Sequence, residues 1–96
     1  IFVLSPLLWR YHMERSEIER RVIEIVVAQF TDASKDKVSL TTAFQEDLAS
    51  DSLDDVELAM ELEERFGLDI SDEESHSLLT VGDAVNFVER KLREKR

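Results

Sequence analysis

From residue 13 onward, apolar residues recur at helical spacing in three runs separated by polar stretches. In the first, Ile18, Val22, Ile25 and Val26 follow at intervals of four, three and one, the stripe of a helix with one buried face. Ser16-x-x-Glu19 precedes them and reads as a capping box, so this helix is expected to start at Ser16. The second run spans Ser52 to Phe66, with Gly67 well placed to stop it. At about 100° per residue, Asp54, Glu57, Glu61 and Glu64 share one narrow arc. Leu53, Val56, Leu58, Ala59, Met60, Leu62 and Phe66 fill most of the remaining circumference. The pattern predicts a helix with an unusually wide apolar side and a narrow acidic stripe. Glu57 and Glu61 form a mildly unfavourable like-charge pair, partly offset by Glu61 with Arg65. The third run is Val81, Ala84, Val85, Val88 and Leu92, opened by Thr80-x-x-Asp83. Its end, Arg90 to Arg96, is rich in Lys and Arg, as a helix C-terminus favours. Between the second and third runs, Ser71-x-x-Glu74 forms another capping box and predicts a short helical turn over 72–77.

Thr31 to Asp47 reads as a long polar connection, with Val38, Leu40, Phe44 and Leu48 able to pin it to a core. A connection of this length is unusual in a compact domain and often functional. The expected fold is all-α: a small four-helix bundle of three longer helices and one short one, with a long loop between helices one and two. Residues 1–12, "IFVLSPLLWRYH", differ from the rest, being mostly apolar and free of acids. Interrupted by Pro6, they are too short to span a bilayer, and they lack the marks of a signal peptide. They are expected to be an extension, either an expression remnant or the remnant of a longer leader. A helix docking on the core is the competing reading. The functional domain is assigned to 13–96.

With only two glycines and one proline, the chain lacks the turn residues an all-β fold needs at each hairpin. Without cysteine it has no disulfide, thiolate metal ligand or thiol nucleophile of its own. Its net charge is −10 and unevenly placed: residues 46–75 hold 13 acids against Arg65 alone, leaving the remainder slightly basic. Such an acidic centre argues against nucleic-acid binding and for partners with basic patches.

Resident catalysis finds little support. A Ser-His-Asp site needs a base within hydrogen-bond reach of the serine. His12 lies in the extension, and His76 reads as a surface residue of the short helix. A calcium loop starting at Asp51 has Leu53 where an oxygen ligand belongs and Val56 where glycine is needed. There is no Gly-rich phosphate loop. What remains is the start of the second helix, "LASDSLDD", where either Asp51 or Ser52 can serve as N-cap and where free amides favour an anion.

The residues around that start carry a resemblance. Phe44 to Glu74, "FQEDLASDSLDDVELAMELEERFGLDISDEE", resembles the core of an acyl carrier protein. The matching features are the Phe-x-Glu-Asp-Leu run at Phe44–Leu48, Asp51-Ser52-Leu53, the following run from Asp54 to Phe66, and Ile70 before Asp72-Glu73-Glu74. More weakly the likeness extends from about Met13 to Lys91. It implies that Ser52 receives 4′-phosphopantetheine, donated by coenzyme A through a separate phosphopantetheinyl transferase. The chain would then carry acyl groups as thioesters for fatty-acid or related lipid biosynthesis, as a substrate of transferases and synthases and not as an enzyme. Carriers specialised for a polyketide, peptide or lipid-modifying pathway are the alternative, as is a docking subunit of an organellar complex.

By the same resemblance, Asp51, Asp54, Glu57, Glu63 and Glu64 face acyl-transfer and chain-elongation enzymes that bear basic patches, with Leu53 and Met60 among them. Glu61 joins this set from the stripe geometry alone. Phe44, Leu58, Leu62, Ile70, Leu78 and Ala84 are implied to line an acyl cavity, and each is equally an ordinary core candidate. The resemblance further implies a monomer without a membrane span, working in the cytoplasm or, alternatively, in a mitochondrion or plastid. The chain departs from the family pattern at Ala49-Ser50, where Gly-Ala is usual, at Ser71, where Pro is frequent, and at Arg65, where acids are common. Loss of the glycine removes backbone freedom beside the serine, and Ser50 offers a second hydroxyl.

Overall fold

The computed structural model describes residues 13–30 and 36–94; the extension expected at 1–12 lies outside the described residues. Among the described residues five helices follow in order: α1 (Arg15–Gln29), α2 (Phe44–Leu48), α3 (Ser52–Phe66), α4 (Asp72–His76) and α5 (Val81–Glu94). The architecture is all-α, with three long helices and the expected short one, α4. The extra short helix, α2, begins inside the segment expected to be loop and ends one residue beyond it. Five residues are too few to display a helical period, so the linear pattern carries no mark of it.

A single apolar cluster joins the long helices. α1 contributes Ile18, Val22, Ile25 and Val26, α3 contributes Leu58, Leu62 and Phe66, and α5 contributes Val81, Ala84, Val85, Phe87, Val88 and Leu92. α1 packs mainly against α5, while α3 meets α1, α4 and α5.

The start of α1 departs from expectation. Its N-cap is Glu14, which makes no side-chain capping bond, and Ser16 lies exposed within the first turn. Glu19 is drawn instead to Arg15, whose Nε donates to Glu19 Oε2 at 3.0 Å. The same guanidinium reaches across to Asn86 and Glu89 of α5 through Nη1, at 2.7 and 3.0 Å. An arginine that ties two helices thus replaces the local capping box, a choice visible only once α1 and α5 are side by side.

The other boundaries follow their local chemistry. Gly67 ends α3 in the left-handed region, at φ 66° and ψ 45°. Ser71 and Glu74 form the expected reciprocal cap of α4. Thr80 and Asp83 do the same for α5, with the Asp83 amide donating to Thr80 Oγ1 and the Thr80 amide donating to Asp83 Oδ2, both at 3.0 Å.

The long connection is held at several points. Val38 and Phe44 are buried, and Leu40 and Leu48 pack against the cluster, as their apolar character suggests. Ala43 and Thr80 pair as an isolated antiparallel bridge, with the Phe44 amide donating to the Leu79 carbonyl and the Val81 amide to that of Thr42. The Gly82 amide donates to the Leu40 carbonyl at 2.8 Å, and a Cβ at Gly82 would sit 2.9 Å from that oxygen. Only glycine admits so close an approach.

Candidate functional site

Three residues, Ala49, Ser50 and Asp51, turn the chain from the end of α2 into the start of α3. Ala49 closes α2 in the left-handed conformation, at φ 53° and ψ 40°, the one non-glycine residue with positive φ among the described residues. The amides of Ala49 and Ser50 both donate to the Phe44 carbonyl. This satisfies the end of α2 in the way a C-terminal glycine would allow without strain.

Asp51, and not Ser52, is the N-cap of α3. Its Oδ1 accepts from the Asp54 amide at 2.9 Å, and Asp54 Oδ2 accepts from the Asp51 amide at 3.0 Å. Capping by its neighbour leaves the Ser52 hydroxyl outside the cap, on an exposed residue. Among the described residues, no hydrogen bond uses the backbone amides of Ser52 and Leu53. An exposed hydroxyl beside two uncommitted amides, at the positive end of a fifteen-residue helix, suits an attached phosphodiester. Asp51, Asp54 and Asp55 act against it by like charge, but solvent and salt screen that repulsion at an exposed site.

The two serines of the turn differ sharply. Ser50 is 8% exposed, and its Oγ donates to Asp55 Oδ1 at 3.3 Å. Gln29, the last residue of α1, donates through Nε2 to the Asp54 carbonyl at 2.8 Å and so fastens α1 to the first turn of α3. Neither contact was legible in sequence. Gln29 lies far from Asp54 along the chain, and a polar residue ending a helix carries no sign of its partner.

Along α3 the apolar residues divide into two sets. Leu58, Ala59, Leu62 and Phe66 are buried, whereas Leu53, Val56 and Met60 are 64%, 51% and 57% exposed. The wide apolar side is therefore split: Leu53 and Met60, expected among the partner-facing residues, face outward with Val56, and the other four pack the bundle. Beside this outer apolar stripe run Glu57 and Glu64, exposed, with Asp54 and Glu61 partly covered. Arg65 Nε lies 3.4 Å from Glu61 Oε2. Between α3 and the last turns of α1 lies an open groove of about 460 Å³, bordered by Ile25, Ala28, Glu57, Met60 and Glu64. Glu63 does not join this face. It is partly buried, and its Oε2 accepts from the Ile70 amide at 2.8 Å, so its role is to hold the turn after α3.

Of the six residues expected to line an acyl cavity, Phe44, Leu58, Leu62, Leu78 and Ala84 are buried in the common core, and Ile70 packs against it. Leu78 alone among them also borders a described surface recess, with Phe87 and Arg90. His76 is exposed on α4. On the far side of α4, Glu74 takes the Ser71 amide and an ion pair from Lys91 at 2.9 Å, which together hold its carboxyl at about 2. Among the described residues, no helix is long and apolar enough to cross a membrane.

Residues 20–88 match the family described as "Phosphopantetheine attachment site". Among solved structures, the chain is similar to the acyl carrier protein from Enterococcus faecalis, at 35% sequence identity and a TM-score of 0.71. That likeness covers 82% of this chain and 99% of the other.

Proposed function

The chain belongs to the acyl carrier protein family, whose attachment domain carries covalently bound 4′-phosphopantetheine, and from that premise we propose that Ser52 is the residue that receives it. The observation that carries this reading is the contrast at the turn into α3, where Ser52 is exposed and outside the cap while Ser50 is buried and bonded. In the reaction, Ser52 Oγ forms a bond to the pantetheine-side phosphorus of coenzyme A. It loses its proton to a base of the transferase, and adenosine 3′,5′-bisphosphate leaves. No base is needed on this chain, which removes the difficulty of a serine without a histidine. When attached, the group supplies the thiol on which acyl chains are carried as thioesters, here for fatty-acid or related lipid biosynthesis. The chain is then a substrate of other enzymes and performs no chemistry alone.

The outer face of α3 is the surface those enzymes read. Asp51, Asp54, Glu57, Glu61 and Glu64 attract basic patches, and Leu53 and Met60 supply apolar contact beside them. Single exposed ion pairs are worth about 0.2–1 kcal/mol. Several together give weak, fast, salt-sensitive docking, which a shuttle between enzymes requires. Phe44, Leu58, Leu62, Ile70, Leu78 and Ala84 form the apolar interior that an acyl chain would have to part.

Incubation with a phosphopantetheinyl transferase and coenzyme A is expected to raise the intact mass by about 340 Da, the phosphodiester product of transfer to a hydroxyl. Ser52→Ala is expected to gain nothing, and a mass gain retained in that variant refutes the assignment. A second reading is a carrier specialised for a polyketide, peptide or lipid-modifying pathway, raised by the departure from the family's usual Gly-Ala at Ala49-Ser50. Profiling the acyl groups on protein isolated from its own cell separates the two.

A further inference from the structure

We propose that Ser50 and Asp55 form a clip that positions Ser52 as the acceptor and withholds the neighbouring hydroxyl; this rests on reading Ser52 as the modified residue. The turn from α2 to α3 is short, and Ala49 holds it in a conformation disfavoured for any residue with a Cβ. Something must oppose the tendency of that turn to relax. The Ser50 amide is anchored on the Phe44 carbonyl at 3.0 Å, on the α2 side. Its Oγ reaches Asp55 Oδ1 at 3.3 Å, on the first turn of α3. Asp55 is itself held in that turn, its amide donating to the Asp51 carbonyl at 3.0 Å. Ser50 therefore touches both helices that the turn joins, and the residue between it and Ser52 is the cap.

Two consequences follow. Ser50 is 8% exposed with its hydroxyl engaged, so the approach of a phosphorus electrophile is closed there and open at Ser52. The backbone entering Ser52 is also ordered before any enzyme arrives, so less freedom is lost when the hydroxyl is aligned for attack. Ser50 and Asp55 act through Ser52 and are positioning residues.

The test is the steady-state rate of phosphopantetheine transfer from coenzyme A to the full chain. Parent, Ser50→Ala, Asp55→Ala, Asp55→Asn and the Ser50→Ala/Asp55→Ala double variant are compared at a temperature where circular dichroism finds all of them folded. Each alanine variant is expected to lose about three- to tenfold in kcat/KM, the range of one hydrogen bond. The double variant is expected to lose no more than either single one, because one contact is removed in each case. Asp55→Asn keeps the acceptor oxygen without the charge and is expected to retain most of the rate. Peptide mapping of Ser52→Ala/Asp55→Ala, with the clip opened, is expected to find a trace of modification on Ser50 that Ser52→Ala lacks. Alanine variants at the parent's rate, or losses that multiply in the double variant, overturn the clip. If Ser52→Ala alone is still modified, the acceptor assignment fails instead, and the two failures are thereby distinguished.

Discussion

The inner and outer faces of α3 carry similar side chains in opposite surroundings. Leu58, Leu62 and Phe66 are at most 3% exposed, while Leu53, Val56 and Met60 are more than half exposed. At about 100° per residue the two sets lie on nearly opposite sides of one helix. The inner set is covered by α1 and α5, so its apolar area stabilises the fold. The outer set contributes nothing comparable to folding, and it lies beside four carboxylates. Apolar residues left in water beside a run of carboxylates support the docking surface proposed above. Hydrophobicity alone therefore says little about what a residue does; the neighbour that covers it decides.

Truncating one residue on each face separates the two most strongly. Leu62→Ala is expected to destabilise the fold by about 2–5 kcal/mol, measured by urea unfolding. Met60→Ala is expected to change stability by less than about 0.5 kcal/mol. It should nonetheless weaken binding to an acyl-transfer enzyme by about 1 kcal/mol or more, as loss of an apolar contact at an interface does. Equal losses of stability from the two would show the outer face to be structural.

Charge reversal sharpens the distinction at lower cost to the molecule. Glu57→Lys with Glu64→Lys is expected to weaken enzyme docking by about 1–2 kcal/mol at low salt, with the difference shrinking as salt rises. Folding should be unchanged or slightly favoured, because the Glu57–Glu61 repulsion is removed.

Smaller effects come from the turn and from α4. Ala49→Gly relieves the left-handed backbone and is expected to stabilise the fold by up to about 1 kcal/mol, the strain relief being partly offset by unfolded-state entropy. The effect of Glu74 is the smallest and shows only in acid. Its carboxyl is lowered from an ordinary 4.5 to about 2, by the Ser71 amide first and then Lys91. The folded state therefore holds this proton less tightly than the unfolded chain. Its contribution is complete above pH 4.5 and fades as the pH falls toward 2. Lys91→Met is expected to reduce that acid-dependent loss, seen by comparing unfolding midpoints of the two proteins between those limits.

Much of the fold was legible in sequence where a local rule acts alone. Ser52 to Phe66 with its stop at Gly67, the Ser71–Glu74 cap and the Thr80–Asp83 cap each depend on residues within a few positions, and each stands as expected. The failures occur where a distant partner competes. Ser16 lost its capping box because Arg15, anchored on α5, took Glu19. Glu63 accepts from the Ile70 amide, a bond across the turn after α3 that its place in the acidic run does not reveal. The choice of Asp51 over Ser52 as cap, which residue order left open, is by contrast local, made where the side chains of Asp51 and Asp54 close on each other's amides.

Residue order alone was enough for the helical class, the acidic centre and the family likeness around Asp51-Ser52-Leu53. These depend on composition, period and short-range spacing, all of which are linear properties. Which leucines of α3 are core and which are surface, and which of two serines is inside, was decided only by packing. The physical reason is that burial belongs to pairs of surfaces, and the surface that covers Leu62 or leaves Met60 bare comes from parts of the chain that meet only in the folded molecule.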